Sequence, residues 1–357
     1  MFKSLYTPPI TTFGEKASEY LNSLIKTKSN SGMAVVLIDK NFYEKNNNLS
    51  FLKKINKKNI LLINHKKEPT VQFIDELKNK IVSNFSKISI VVGIGGGSML
   101  DTAKAISNLI TNPGSASKYQ GWDLLKKPGI FKVGVPTLSG TGSESSKTCV
   151  LTNDKTFHKL GMNSKFSVFD ELILDPNLNK TVEKKQYFYS AMDAYIHAIE
   201  SLSGSFRNSY ADNYSNLSKN LIEEIFLSNN PKSIQNRSKL MLASYYGGLA
   251  ISSSFVGLIH PISAALSVVY GFKHCYANCI SFRALGEFYP THYKIFNKMC
   301  KFNNIKFSKK IKNLKSDDFE KLVISTLVHE KPLYNALGKK YKEILNNEKL
   351  WEIFNRI

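Results

Sequence analysis

The chain has 357 residues, 42% of them hydrophobic, enough for a sizeable core and more than one domain. No apolar run reaches the roughly eighteen residues of a membrane span, and the opening MFKSLYTPPITTFGEKASEYL lacks the apolar core and cleavage site of a signal peptide, so no membrane association and a cytoplasmic placement are expected. The formal net charge is +21, but the lysines are scattered (FLKKINKKNI, HKKEP, FSKKIKNLK) and no zinc-finger, helix-turn-helix or RNA-binding aromatic motif accompanies them. No nucleic-acid partner is expected, and the basic field is left to steer anionic small molecules.

Taken along the chain, MAVVLI at 33–38, NILLI at 59–63, KISIVVGIGGG at 87–97 and FKVGVP at 131–136 are short, β-branched runs bounded by turn residues, as buried parallel strands are. Helical patterns lie between them, at 69–85 and 98–110. This alternation predicts an α/β sheet domain. From about residue 183 the pattern changes to long amphipathic segments, which predicts an all-helical second domain. The boundary is placed in ILDPNLNK at 173–180, giving domains of 1–178 and 179–357.

VVGIGGGSMLDTAKA at 91–105 reads as strand, glycine cluster and helix. Gly95, Gly96 and Gly97 let backbone approach a bound group, Ser98 is expected to cap the helix, and the helix N-terminus suits a pyrophosphate. The spacing is not the usual GxGxxG. After the next strand, VPTLSGTGSESS at 135–146 offers the hydroxyls of Thr137, Ser139, Thr141 and Ser143 to the same cleft. Asp39, at a strand end, could accept from a ribose 2′-hydroxyl, which would favour NAD over NADP.

SAMDAYIHAIE at 190–200 places Asp193 and His197 one helical turn apart on one face. Alone, such a pair can be a surface ion pair or a satisfied polar spot. It can also be half of a metal site, with an oxygen and a nitrogen ligand. GLIHPISAALSVVYGFKHCYANC at 257–279 supplies His260 and His274 as partners, whereas His65, His158, His292 and His329 read as structural or exposed. One Asp and three His would hold a borderline divalent ion such as Zn²⁺ or Fe²⁺. Cys149, Cys275, Cys279 and Cys300 form no paired CxxC elements; a thiolate zinc site at Cys275 and Cys279 would need two further ligands.

GIGGGSMLDTAKA, PTLSGTGSE, Asp175-Pro176, DAYIHAIE and GLIH…KHCYAN occur in this order, and in them the chain resembles the iron-containing (group III) alcohol dehydrogenases along almost its whole length. The resemblance implies a dehydroquinate synthase-like fold: an α/β dinucleotide-binding domain and a helical metal-binding domain. It implies Asp193, His197, His260 and His274 as metal ligands, and Gly96, Gly97, Ser98, Thr137 and Thr141 at the cofactor. It carries Asp101, Leu138, Ser143 and Lys159 into the same cofactor set. NPGSASKYQGWDLLKKPG at 112–129, KLGMNS at 159–164 and ALGEFYP at 284–290 are similar to the branch that oxidises C8 of 3-deoxy-D-manno-octulosonate for lipopolysaccharide 8-amino-sugar synthesis, where an aminotransferase acts next. A homodimer is the family expectation.

Two positions depart from the family pattern: Ala264 stands where many members carry a proton-relaying His, and Ala191-Met192-Asp193 replaces Gly-Met-Asp. The expected chemistry is oxidation of an alcohol activated by the metal as Lewis acid, with NAD(P) as hydride acceptor. The name of the octulosonate branch leaves oxygen open as acceptor. Other readings are a dehydrogenase of another small alcohol or polyol, a dehydroquinate synthase-type lyase, and a basic binding protein on the same scaffold.

Overall fold

The computed structural model describes residues 4–46, 49–65, 68–307, 311 and 314–357. Parts of two basic stretches, at 66–67, 308–310 and 312–313, lie outside the described residues. The chain divides into two compact units. One comprises Leu5–Asn153 and Leu160–Val182; the other includes Asp154–Lys159 and Glu183–Ile357. A cut after residue 178 therefore misplaces two pieces. Residues 179–182 stay with the first unit, and the 154–159 turn goes with the helices. That turn is tied there by Ser325 Oγ, which donates to the Phe157 carbonyl at 2.7 Å, and by Lys321, whose Nζ lies 5.8 Å from the Phe157 ring centre.

In the first unit the described strands are β1 (Ile10–Phe13), β2 (Met33–Asp39), β3 (Ile60–Ile63), β4 (Ile88–Gly95), β5 (Gly121–Trp122), β6 (Phe131–Pro136), β7 (Val150–Asn153), β8 (His158–Asn163, entering from the turn) and β9 (Glu171–Leu174). Six of them form a sheet in the order β1-β9-β6-β4-β2-β3, parallel throughout; β5, β8 and β7 form a small second sheet. Helices α1 (Leu21–Lys28), α2 (Lys40–Lys45), α3 (Val71–Asn84) and α4 (Gly97–Thr111) accompany them. The continuous apolar character of β2 and β4 follows from burial on both faces: Val35, Val36, Leu37, Val91 and Val92 are all fully enclosed. Val36, Ile38, Val92, Ile94, Val133 and Val135 share one core with Leu21, Phe42 and Phe51.

Strands β6, β4 and β2 are neighbours and run the same way, with Gly95 beside Pro136 and Ile38 beside Ile94. Their carboxyl ends therefore bring Asp39, the glycine turn and Thr137 to one edge of the sheet, where open α/β sheets bind ligands.

The second unit is helical: α5 (Lys184–Ser203), α6 (Ser209–Phe226), α7 (Ile234–Ser254), α8 (Ile259–Tyr270), α9 (His274–Ala284), α10 (Pro290–Phe302), α11 (Ser316–Leu327), α12 (Glu330–Leu337), α13 (Tyr341–Ile344) and α14 (Asn347–Asn355). Helix α5 is its axis, buried from Ser190 to Ser201. Among the described residues no single helix is long and apolar enough to cross a membrane.

Candidate metal centre and dinucleotide loops

In the helical unit, α5 contributes Asp193, α8 contributes His260 in its first turn, and α9 opens on His274. One ligand atom from each of these three lies within 4.8 Å of the others. His260 Nε2 is 3.5 Å from Asp193 Oδ1, and His274 Nε2 is 3.6 Å from Asp193 Oδ2. His197 stands one turn along α5, its Nε2 3.7 Å from Asp193 Oδ1 and its ring stacked on His260 with centres 4.7 Å apart.

Three residues not singled out in the sequence complete the arrangement or bear on it. Glu200, buried on α5, accepts from His260 Nδ1 at 2.5 Å and from the Ile259 amide at 2.5 Å. A carboxylate on Nδ1 fixes the tautomer, so that once His260 gives up its second proton the Nε2 lone pair faces Asp193, the arrangement of a metal-binding imidazole. Asn278, one turn after His274, donates from Nδ2 to Asp193 Oδ1 at 2.6 Å and lies 3.3 Å from His260 Nε2 and 3.4 Å from His274 Nε2. Three acceptor atoms thus converge on one donor, as they would on a cation. The signal for both was spacing: Asp193, His197 and Glu200 follow an i, i+4, i+7 pattern, and His274 and Asn278 an i, i+4 pattern. The third residue is His329. Its Nε2 is enclosed without a hydrogen-bond partner among the described residues, and it feels the charges of Lys159, His260 and His158. His329 is therefore sensitive to the charge of His260, a relation that chain distance hid.

Electrostatics reinforce the donor set. Burial acts to raise the Asp193 carboxyl, but His274, His197 and His260 together hold it well below the usual carboxylate range. Burial pulls His197 down to about 4, so it is a neutral imidazole; its Nδ1 is buried and has no partner among the described residues. Burial opposes protonation of His260 too, but Glu200 and Asp193 outweigh it and bring that ring up to about 9. A buried carboxylate among three imidazoles fits a divalent cation. Cys275 instead donates its thiol to Asp193 Oδ2 at 3.5 Å, and burial pushes the Cys279 thiol well up, so neither is set as a thiolate ligand.

In the α/β unit, Gly95 ends β4, Gly96 precedes α4 and Gly97 is its first residue. Ser98 is not the cap. The helix begins at Gly97, with Gly96 in the cap position and no side-chain cap, and the Ser98 carbonyl accepts from Thr102 Oγ1 at 2.8 Å. Gly97 is required by packing: a Cβ there would meet Thr141 Oγ1 at 2.7 Å. At Gly96 a Cβ would make only ordinary contact with Leu138, 3.5 Å away. The Thr137 amide donates to the Gly95 carbonyl at 2.9 Å, and the Ser143 amide lies 3.3 Å from Thr141 Oγ1. Asp39 caps α2, one oxygen accepting from the Phe42 amide at 2.8 Å. Asp101 accepts from Ser143 Oγ at 2.6 Å and from the Val150 amide at 3.1 Å. Lys159, on the turn counted with the helical unit, has its Nζ 3.3 Å from His274 Nδ1. The close backbone approach at Gly95–Gly97 and the open N-terminus of α4 fit a pyrophosphate.

The profile of the iron-containing alcohol dehydrogenases matches residues 8–176, and that of the C-terminal part of the same family matches residues 187–330. The chain belongs to the iron-containing alcohol dehydrogenase family. It is 33% identical over 189 residues to a sulfoacetaldehyde reductase of Bilophila wadsworthia (52% of this chain, 48% of that protein). It is 31% identical over 197 residues to an NAD-dependent methanol dehydrogenase of Bacillus methanolicus (54% and 51%). The matches thus span about half the length of these curated relatives. Among solved structures, a 1,3-propanediol oxidoreductase superposes over all of both chains with a TM-score of 0.84 at 20% identity. A sulfoacetaldehyde reductase of Bifidobacterium kashiwanohense, solved with NAD⁺, superposes over 99% of this chain and 98% of its own with a TM-score of 0.79 at 21% identity. These neighbours share the fold.

Proposed function

We propose that the chain is a metal-dependent, NAD-linked oxidoreductase that interconverts a primary alcohol and an aldehyde. The observation that carries this reading is the convergence of Asp193, His260 and His274 within 4.8 Å of one another. His197 is the fourth ligand. When bound, a divalent cation such as Zn²⁺ or Fe²⁺ would supply Lewis-acid polarisation of the substrate oxygen, and a nicotinamide would supply hydride-transfer chemistry. Asp193 brings the negative charge that retains the cation. Glu200 keeps His260 in the ligating tautomer. Gly95, Gly96, Gly97 and Ser98 hold the pyrophosphate, with Asp101, Thr137, Leu138, Thr141 and Ser143 shaping the same edge. Asp39, with a carboxylate at the end of β2, favours NAD over its 2′-phosphorylated form. Lys159, expected in the cofactor set, stands beside His274 in the helical unit. Ala264 carries no ionisable side chain, so position 264 cannot relay the proton.

The substrate we favour carries an acid group. Lys159 beside His274 and the net charge of +21 suit an anionic alcohol or aldehyde, and the sulfoacetaldehyde reductase relative is named for one. With the sequence segments at 112–129, 159–164 and 284–290, this gives C8 of 3-deoxy-D-manno-octulosonate as the specific proposal, within lipopolysaccharide 8-amino-sugar synthesis. A cytoplasmic homodimer followed by an aminotransferase belongs to the same proposal. The test is incubation of metal-loaded protein with that sugar acid, with and without NAD, in air and under nitrogen, and mass spectrometry for the C8 aldehyde. An aldehyde that disappears in His260→Ala supports substrate and site, and its dependence on NAD or air identifies the acceptor. No aldehyde in any arm removes this substrate and leaves the alcohol oxidoreductase to be assayed on other acids and polyols.

A further inference from the structure

Lys104 lies fully buried in the middle of α4, the helix whose N-terminus closes the glycine turn. Its Nζ donates to the carbonyls of Ser143 at 2.5 Å, Ser146 at 2.8 Å and Thr148 at 2.9 Å. An ammonium has three donors and no acceptor, and these three carbonyls use all of them. The Phe169 ring stands 5.2 Å from the amine. One turn earlier on the same helix, Asp101 holds the Ser143 hydroxyl and the Val150 amide. Two side chains of α4 therefore clamp residues 143–150. Just upstream, Thr141 packs on Gly97 at the first turn of that helix.

We infer that Lys104 is a positioning residue for dinucleotide binding: it keeps the 139–148 loop in fixed spacing from the glycine turn. This rests on the proposed use of the glycine turn as a dinucleotide site. The chemistry favours a lysine over an apolar side chain at this place. Three carbonyls of an irregular segment need donors, and no regular strand or helix supplies them. A charged donor also makes stronger bonds than a neutral one.

The clamp carries a pH dependence. Burial brings the Lys104 amine down to about 8, against the pull of Asp101 and Glu144 and with a small push from Lys132. Above that pH the amine loses a proton, one carbonyl loses its donor, and the loop loosens. The Cys149 thiol is pushed well up by burial and stays protonated through this range. Lys132 is paired with Asp170 at 3.4 Å.

The experiment is calorimetric titration of NAD⁺ into full-length, metal-loaded wild type, Lys104→Met and Lys132→Met from pH 7.0 to 9.5, with steady-state kinetics alongside. Wild type should weaken by about tenfold in Kd across the upper part of the range, since one proton is coupled to binding. Lys104→Met should bind at least about tenfold more weakly at pH 7.5, lose the pH dependence, and raise the KM for NAD more than it lowers kcat. Lys132→Met should keep the wild-type profile. Wild-type affinity that is flat with pH, or a folded Lys104→Met with wild-type affinity, overturns the inference while leaving the dinucleotide site standing. If Lys104→Met does not fold, the wild-type and Lys132→Met profiles decide. Absence of NAD binding by wild type overturns the site and the inference together.

Discussion

Replacing Glu200 by Gln separates two effects that the wild-type carboxylate combines. Its two oxygens accept from His260 Nδ1 and from the Ile259 amide, both at 2.5 Å, in a fully buried position. An amide has one oxygen, so it can serve one of these donors while its NH₂ faces the other. Loss of a hydrogen bond that orients a ligating imidazole costs about 10–100-fold in metal affinity. The carboxylate also raises His260 to about 9, and a proton there competes with the metal. At pH 7.5 that competition weakens apparent affinity by roughly thirtyfold, one factor of ten per unit of pKa above the pH. Gln removes most of this handicap. The two effects nearly cancel near neutrality and diverge as pH rises. Competition with a calibrated chelator, using Zn²⁺ or Co²⁺ between pH 6.5 and 9, reads both. Wild-type affinity should climb with pH through the range below 9. Glu200→Gln should climb less steeply and be at least about tenfold weaker at pH 9. Parallel profiles of equal affinity, with the fold intact, would refute the claim that Glu200 sets the His260 tautomer and charge.

Other outcomes follow from the same contacts. Asp193→Asn should leave the purified protein with less than about a tenth of its metal, because a buried carboxylate is the only anion in the ligand set; metal analysis of folded protein checks this. His329 is held down to about 3 by burial, so the folded protein resists taking a proton there that the unfolded chain accepts below about 6.5. Its contribution is present above that pH and is lost on the way down to about 3, roughly 2 kcal/mol by pH 5. His329→Phe should show a correspondingly smaller drop in urea stability between pH 7.5 and 5, and an equal drop would count against a buried neutral imidazole. Gly97→Ala places a methyl 2.7 Å from Thr141 Oγ1 and should cost about 1–3 kcal/mol and weaken NAD binding. Adding Thr141→Ala should restore part of both in a double-mutant cycle.

Much of this was readable from residues alone. The apolar runs at 33–38, 59–63, 87–97 and 131–136 correspond to β2, β3, β4 and β6; β2, β4 and β6 are buried on both faces and have no polar alternation to obscure them, while β3 is an edge strand that stays apolar although Leu62 is exposed. Strands β1 and β9 escaped. ITTF sits at the sheet edge, where Ile10 and Phe13 are exposed, and ELIL is only four residues long. At the metal centre Asp193 and His197 were visible because i, i+4 spacing is local. The partnership of His260 and His274 with them depends on how α8 and α9 pack against α5, which spacing does not encode. Ser98 misled because a hydroxyl before an apolar run ordinarily marks a cap, whereas two preceding glycines let this helix start earlier. Glu200 and Asn278 were in view in the quoted motifs. Without the fold, a glutamate seven residues beyond an aspartate on an amphipathic helix reads as a solvated face.

The position of Glu200 ties the proposed metal centre to the architecture of the helical unit. Helix α8 begins at Ile259, and its preceding residue, Leu258, provides no side-chain cap. The first amide of α8 is satisfied by Glu200 from α5, and the next residue is His260 itself. Tyr289, buried nearby, places its hydroxyl 3.5 Å from the Leu258 amide, and at Gly257 a Cβ would come within 3.1 Å of that hydroxyl and 3.3 Å of Glu200. The start of α8 is therefore defined by a side chain of the helix that also carries Asp193 and His197. Any shift of α8 along its axis would break the Ile259 bond and the His260 bond together. Ligand geometry and helix entry are one structural constraint, and a change at Gly257 or Tyr289 should appear first as altered metal affinity rather than as lost stability.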